Sequence, residues 1–158
     1  MKKILLILII FAFSMPCFAA KMLHLGSKIF LDVDSVKYYV NDGGQMENNK
    51  KIFWLKCYNN RSTLYSVTER ISKQKIGYVV LEYIIDTQNS KMAHKTSNVF
   101  NTNNQAIEIL IIPDDRLIWK SIEPGSLSEI LYKFAINPQF MQKLYIMQEV
   151  KQKTQSSN

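Results

Sequence analysis

The sequence predicts an α+β domain: an antiparallel β-sheet of about five to six strands with C-terminal helices packed on one face. Three observations carry this. Extended apolar runs, separated by Asn, Asp and Gly turns, fill the chain from residue 28 to residue 112. After Ser126 the apolar residues change from alternation to helical spacing. The order is strands first and helices last, which places the helices together on one side of a sheet.

Lys28-Ile29-Phe30-Leu31 is a short extended run, and Asp32-Val33-Asp34-Ser35 reads as a turn whose side chains bond nearby amides. Val36–Val40 continues as a strand. Asn41-Asp42-Gly43-Gly44 is a turn in which glycine accepts positive φ, and 45–50 reads as polar loop. Lys51–Tyr58 is rich in aromatic and branched residues, a strand composition. Asn59–Ser62 turns, and Thr63–Ile71 is the next strand. Gly77–Ile85 is apolar on both parities, the pattern of a central strand. Lys91–Phe100 is a further strand. Ala106–Ile112 is another, closed by Pro113-Asp114-Asp115. Ser126-Leu127-Ser128-Glu129 is a capping box, followed by the stripe Leu127, Ile130, Leu131 and Phe134. Asn137-Pro138 opens a second helix, with asparagine as cap and proline in the first turn. Its docking face is predicted to be Phe140, Met141, Leu144 and Met147.

Residues 1–20 read as a secretory signal peptide. Lys2-Lys3 is a basic head, Ile4–Phe13 an unbroken apolar run, and Ala19-Ala20 supplies small residues for cleavage. The run is too short to span a bilayer. The expected organisation is a signal peptide at 1–20, an α+β domain at 21–136, and an additional helix with a frayed tail at 137–158. The mature chain is expected in the periplasm or on the outer cell surface, with no transmembrane segment. It carries eighteen Lys and Arg against thirteen acidic residues, a net charge of +5. That charge is spread out and includes only three arginines, so no nucleic-acid partner is expected. Cys57 is the one cysteine left after cleavage, and it reads as a buried thiol.

Motifs for chemistry are sparse. His24 and His94 are the only histidines and have no metal-ligand spacing around them. No nucleophile elbow or phosphate loop occurs. The expectation is a protein that is not an enzyme and uses no cofactor. The rival from another class is a hydrolase pairing the strand carboxylate Glu82 with Glu69 or Glu108. The aromatics Tyr38, Tyr39, Trp54, Tyr58, Tyr65, Tyr78, Tyr83, Trp119 and Tyr132 are expected mostly to fill the core or its rim. The other use open to them is a binding surface, since Tyr and Trp dominate interface hot spots.

Trp119-Lys120-Ser121-Ile122-Glu123-Pro124-Gly125-Ser126-Leu127-Ser128-Glu129 resembles the C-terminal signature of the surface-adhesin E family, a tryptophan strand running into a Pro-Gly-Ser turn and a helix. Phe30-Leu31-Asp32-Val33-Asp34-Ser35-Val36 resembles that family's early strand and turn, and Lys51–Leu55, with Trp54, its next strand. The resemblance runs from about residue 22 to 136. It implies an antiparallel sheet with a helix against it, in a small exported protein that binds proteins. It makes Asp32, Asp34, Ser35, Trp54, Trp119, Pro124, Gly125, Ser126 and Glu129 structural-motif residues. The implied partners are a host matrix or serum protein and a second copy of the chain. Residues 137–158 lie beyond the resemblance, and it is the apolar stripe of that added helix that makes Phe140, Met141, Leu144 and Met147 candidate interface residues. A periplasmic structural or inhibitory role is the alternative. The family's disulfide is missing here: Asp86 and Ala135-Ile136 stand near the two cysteine positions.

Overall fold

The structure is a computed structural model that describes residues 21–26, 28–58 and 72–155. The expected signal peptide, the turn at 59–62 and the strand at 63–71 lie outside the described residues.

Among the described residues eight strands form one antiparallel sheet: β1 (Met22–Gly26), β2 (Ile29–Asp32), β3 (Lys37–Val40), β4 (Met46–Tyr58), β5 (Ile76–Asp86), β6 (Lys91–Asn101), β7 (Ala106–Ile111) and β8 (Lys120–Ser121). Helices α1 (Leu127–Ile136) and α2 (Pro138–Gln155) follow. The order across the sheet is β1-β2-β4-β5-β6-β7, with β3 also on β4 and β8 also on β6. The α+β class is as predicted, and the strand count is higher. β1 and the two-residue β8 carry little pattern of their own. The expected loop at 45–50 is instead the start of a thirteen-residue β4. Its polar residues pair with β3, so backbone ladder bonds decide there rather than burial.

Paired residues share a face of the sheet. One row runs Leu23, Leu31, Leu55, Leu81 and Ser97 across five strands. This face receives the helices. Leu131, Phe134, Ala135 and Met141 close on Leu23, Leu31, Phe53, Leu55, Cys57 and Ile85 as one core. Each fully buried large side chain contributes about 1.5–3 kcal/mol relative to exposure. β5 is central, between β4 and β6, as its two apolar parities require. Gly77 belongs to this strand because a Cβ there would lie 2.6 Å from the Asn101 carbonyl oxygen.

Pro124-Gly125 makes the turn into α1, with Gly125 at φ +75°. Ser126 Oγ accepts the Glu129 amide at 3.3 Å, which is half of the capping box. The other half departs from expectation. Glu129 Oε2 accepts from the Gly125 amide at 2.8 Å, because the Ser126 amide already bonds the Glu123 carbonyl. Ile130, expected in the core stripe, is 39% exposed, and Ala135 takes its place because the buried arc centres on Leu131 and Phe134. Trp119 is half-buried outside the main core, with the Lys50 ammonium 5.2 Å from its ring centroid. It does not serve as the buried anchor of the sheet-to-helix hinge.

α2 docks on its own subunit through Met141, with Leu144 and Tyr145 partly buried. Gln148 finishes the docking by bonding both backbone groups of His24, at 3.1 and 2.8 Å. This side chain caps the free edge of β1 as a neighbouring strand would. Phe140 and Met147, expected on the same docking face, are 42% and 58% exposed. They lie beside Leu144 at the margin of the docked arc, which centres on Met141, Leu144, Tyr145 and Gln148, and Phe140 still reaches the Phe134 ring at 6.0 Å. No helix among the described residues is long and apolar enough to cross a membrane.

Candidate functional site

The face of the sheet opposite the helices carries the site, and the Asp32–Ser35 turn explains its shape. β2 pairs with β4 at residues 55–57, and β3 pairs with β4 from residue 52 back toward 46. Between them the chain leaves the sheet as a 3-10 turn, Val33–Ser35. The Asp32 carboxylate accepts the Asp34 amide at 3.1 Å and starts that turn. The detour would leave the Trp54 amide without a strand partner. Ser35 Oγ supplies the acceptor at 2.9 Å while donating to the Asp32 carbonyl at 2.6 Å. The predicted motif residues Asp32, Asp34, Ser35 and Trp54 therefore converge, and they line one shallow groove of about 220 Å³ with Lys37 and Glu82.

Trp54 pairs with Glu82, and Glu82 with Thr96, across three strands. The Trp54 indole donates to Glu82 Oε1 at 2.6 Å, and the Thr96 hydroxyl to Oε2 at 2.7 Å. Thr96 thus anchors the carboxylate whose other oxygen holds Trp54 in place. Glu108 pairs with Val99, on the helix side, whereas Glu82 lies on the outer side. The sheet separates these two carboxylates, so they make no catalytic pair. Glu69 lies outside the described residues.

Beside Trp54 a ladder of rings crosses five strands. His24 stacks near Phe30 at 4.9 Å, Phe30 meets Tyr58 edge-on at 5.7 Å, Tyr58 meets Tyr78 at 5.7 Å, and Tyr78 stacks on Phe100 at 4.7 Å. Such pairs are each worth about 0.5–1.5 kcal/mol beyond area burial. The Lys56 ammonium lies 3.9 Å from the Tyr78 ring centroid. A groove of about 390 Å³ opens along the ladder, lined by Met22, Phe30, Asp32, Trp54, Lys56, Tyr58 and Val80. Farther along the same face Ile84 and Ala93 are 0% and 2% exposed, so the open region is the half around Trp54 and Tyr58. The two adjoining grooves combine flat apolar rings with the cations Lys37 and Lys56 and the carboxylates Asp32, Asp34 and Glu82.

A separate polar cluster locks the β3–β4 turn to the 3-10 turn Asp114–Arg116. Lys95 Nζ donates to Asp42 at 2.8 Å and to Asp114 at 2.6 Å. The two aspartates exchange backbone-to-carboxylate bonds at 2.7 and 2.8 Å, and Tyr39 donates its hydroxyl to Asp114. The Lys95 hydrogen bond, then the Asp114 amide, holds the Asp42 carboxyl below its usual range. Burial opposes ionisation of Asp114, and the bonds from Lys95 and Tyr39 outweigh it and also hold it low. Burial likewise opposes charge on Lys95, and its two carboxylate partners outweigh that and raise it. Asp42 and Asp114 belong to separate turns of the chain, and only the tertiary fold brings them together.

His94 Nε2 lies 2.9 Å from both the Thr96 carbonyl and Ser97 Oγ. A carbonyl only accepts, so Nε2 carries the proton and is no base for Ser97. Among the described residues no three His, Cys, Asp or Glu side chains gather as a metal site. Cys57 is buried and forms no disulfide, and burial pushes its thiol up. At the position where the resemblance implies a disulfide, the Tyr132 hydroxyl of α1 bonds the Thr87 carbonyl beyond β5 at 3.2 Å. Pro124, Gly125, Ser126 and Glu129 build the entry to α1, whereas Trp119 lies beside Lys50 ahead of β8.

Comparison with solved structures gives a fold likeness. The crystal structure of protein E from non-typeable Haemophilus influenzae superposes with a TM-score of 0.54 at 13% identity, covering 86% of this chain and 92% of that one. A second crystal form of Haemophilus influenzae protein E gives 0.46 at 10% identity, over 74% and 87% of the two chains. At these identities the likeness concerns the fold alone. No family model and no curated protein matches the sequence.

Proposed function

We propose that this chain is an exported, adhesin-like envelope protein that acts by binding another protein, not by catalysis. The observation that carries the reading is the open half of the outer sheet face. Trp54 and Tyr58 are 47% and 37% exposed there, held rigidly by Glu82 and by neighbouring rings. Rigid amphipathic aromatics beside a lysine are the composition of interface hot spots. The signal-like residues 1–20 support export, and the motifs resembling the surface-adhesin E family support a surface or periplasmic role. The partner class is a host matrix or serum protein.

Two measurements test this. Protease shaving of intact cells should remove the protein, and purified protein should bind immobilised matrix or serum proteins saturably. Trp54→Ala and Tyr58→Ala should each weaken that binding about tenfold or more while melting stays cooperative. Protection from shaving would retain the periplasmic structural or inhibitory role and discard the adhesin. Turnover lost on Glu82→Gln would overturn the non-catalytic reading.

Homodimerisation belongs to the same proposal. Phe140, Met147 and Val150 leave an outward stripe on α2, 42% to 59% exposed. Phe140→Ser with Met147→Ser should convert a sedimenting dimer to monomer; a wild-type monomer would remove this part.

A further inference from the structure

A cavity of about 420 Å³ lies at the margin of the helix-side core. Tyr83 of β5 and Met92 and His94 of β6 form its floor, and Arg116 and Ile118 from the segment before β8, with Lys120 of β8, form its wall. Tyr83 and Met92 also pack against the main core, so the floor is fixed by the fold. The His94 and Tyr83 rings lie 5.2 Å apart and tilted, presenting a broad aromatic surface. Burial pushes the Tyr83 phenol up, as expected for a floor poorly reached by water. Ile118 is 75% exposed, an apolar side chain at the mouth.

The charge is one-sided. Arg116 and Lys120 both line the cavity, no acidic side chain does, and neither makes an ion pair with any described residue. The nearest acidic group in sequence with a defined role, Asp114, is already taken by Lys95 and Tyr39. The His94 Nε2 proton is directed at Thr96 and Ser97. A guanidinium fork and an ammonium thus face one apolar hollow of ligand-binding size. A guanidinium matches a carboxylate with two parallel bonds.

We propose that this cavity binds a small amphipathic carboxylate, its head on Arg116 and Lys120 and its apolar, aryl-type body on Tyr83, Met92 and His94 beneath Ile118. The site is distinct from the outer groove and does not depend on the protein-binding reading.

Calorimetry and backbone NMR of the purified protein with 4-phenylbutyrate, against its neutral analogue 4-phenylbutanamide, test the proposal. The acid should bind saturably and about fivefold to tenfold tighter than the amide. Amide-resonance shifts should cluster at residues 83–94 and 112–120. Arg116→Gln and Lys120→Gln are surface changes, so thermal melting should be unchanged. Each should weaken the acid several-fold and leave the amide unaffected, and Ile118→Ser should weaken both. Acetyl-Leu-Phe with a free terminal carboxylate distinguishes the source of the head: tighter binding than 4-phenylbutyrate assigns it to a peptide end, weaker binding to a free acid. Equal affinity for acid and amide, indifference to both glutamine variants, or no saturation at millimolar ligand would overturn the proposal.

Discussion

On the helix face Leu23, Leu31, Phe53, Leu55 and Ile85 are all 3% exposed or less, whereas Trp54 and Tyr58, from the same strand as Phe53 and Leu55, are 47% and 37% exposed. Successive side chains of β4 go to opposite sides, so one strand builds both environments. On the helix side the rings and aliphatic groups contact α1 and α2, and their burial stabilises the fold. On the outer side the rings contact one another and Lys56, which fixes their positions without removing them from water. The difference separates stability from recognition: changes on the first face should unfold the protein, and changes on the second should spare the fold and alter binding.

The largest contrast is between Phe134 and Trp54. Phe134 is 1% exposed in the core, and Phe134→Ala should cost about 3–5 kcal/mol in chemical denaturation. Trp54→Ala should cost roughly 1 kcal/mol, mainly its hydrogen bond to Glu82. Similar costs for the two would erase the distinction between the faces. The next contrast lies within α2. Met141 is 2% exposed and Met147 58% exposed, so Met141→Ala should cost about 2–4 kcal/mol and Met147→Ala within about 0.5 kcal/mol. Equal effects would mean that α2 sits in another rotation.

The Lys95 cluster comes third. Lys95→Met should cost about 1–3 kcal/mol, less than a deeply buried pair, because the Asp42 side chain is 54% and that of Asp114 27% exposed. The sign of its pH dependence follows from the shifts. Asp42 and Asp114 are lowered, so their contribution is full above the unfolded value near 4 and is lost as pH falls through their folded values. Lys95 is raised, so its contribution is full below about 10.4 and is lost as pH rises through its folded value. The stability gap between wild type and variant should be flat near neutrality and narrow at both extremes. A gap that widens in acid would contradict the clamp. At the entry to α1, Ser126→Ala should cost about 1 kcal/mol from the lost cap. A larger loss would mean that the Pro124–Gly125 turn itself depends on the serine.

Much of this architecture was legible in the residues. The alternation of Phe53, Leu55 and Cys57 with Trp54, Lys56 and Tyr58 already divides β4 into two faces, because strand geometry leaves no other arrangement. The two apolar parities of β5 required a central position. The role of Glu82 was not legible. Its partners Trp54 and Thr96 lie 28 and 14 residues away, and only the register of β4, β5 and β6 joins them. The place of Trp119 was not legible either: a large aromatic just before a helix suits a buried anchor, and only the packing leaves it half-buried at the rim beside Lys50.

The sequence by itself determined the α+β class, the hairpin turns, the entry to each helix and the division of β4 into two faces, since these depend on neighbours a few residues apart. The tertiary structure decided which face stayed open, which side of α2 docked, how Asp42 met Asp114 around Lys95, and where Arg116 and Lys120 left an unbalanced positive cavity. Those outcomes depend on strand register and helix rotation, which are set by contacts between residues far apart in the chain and have no local signature.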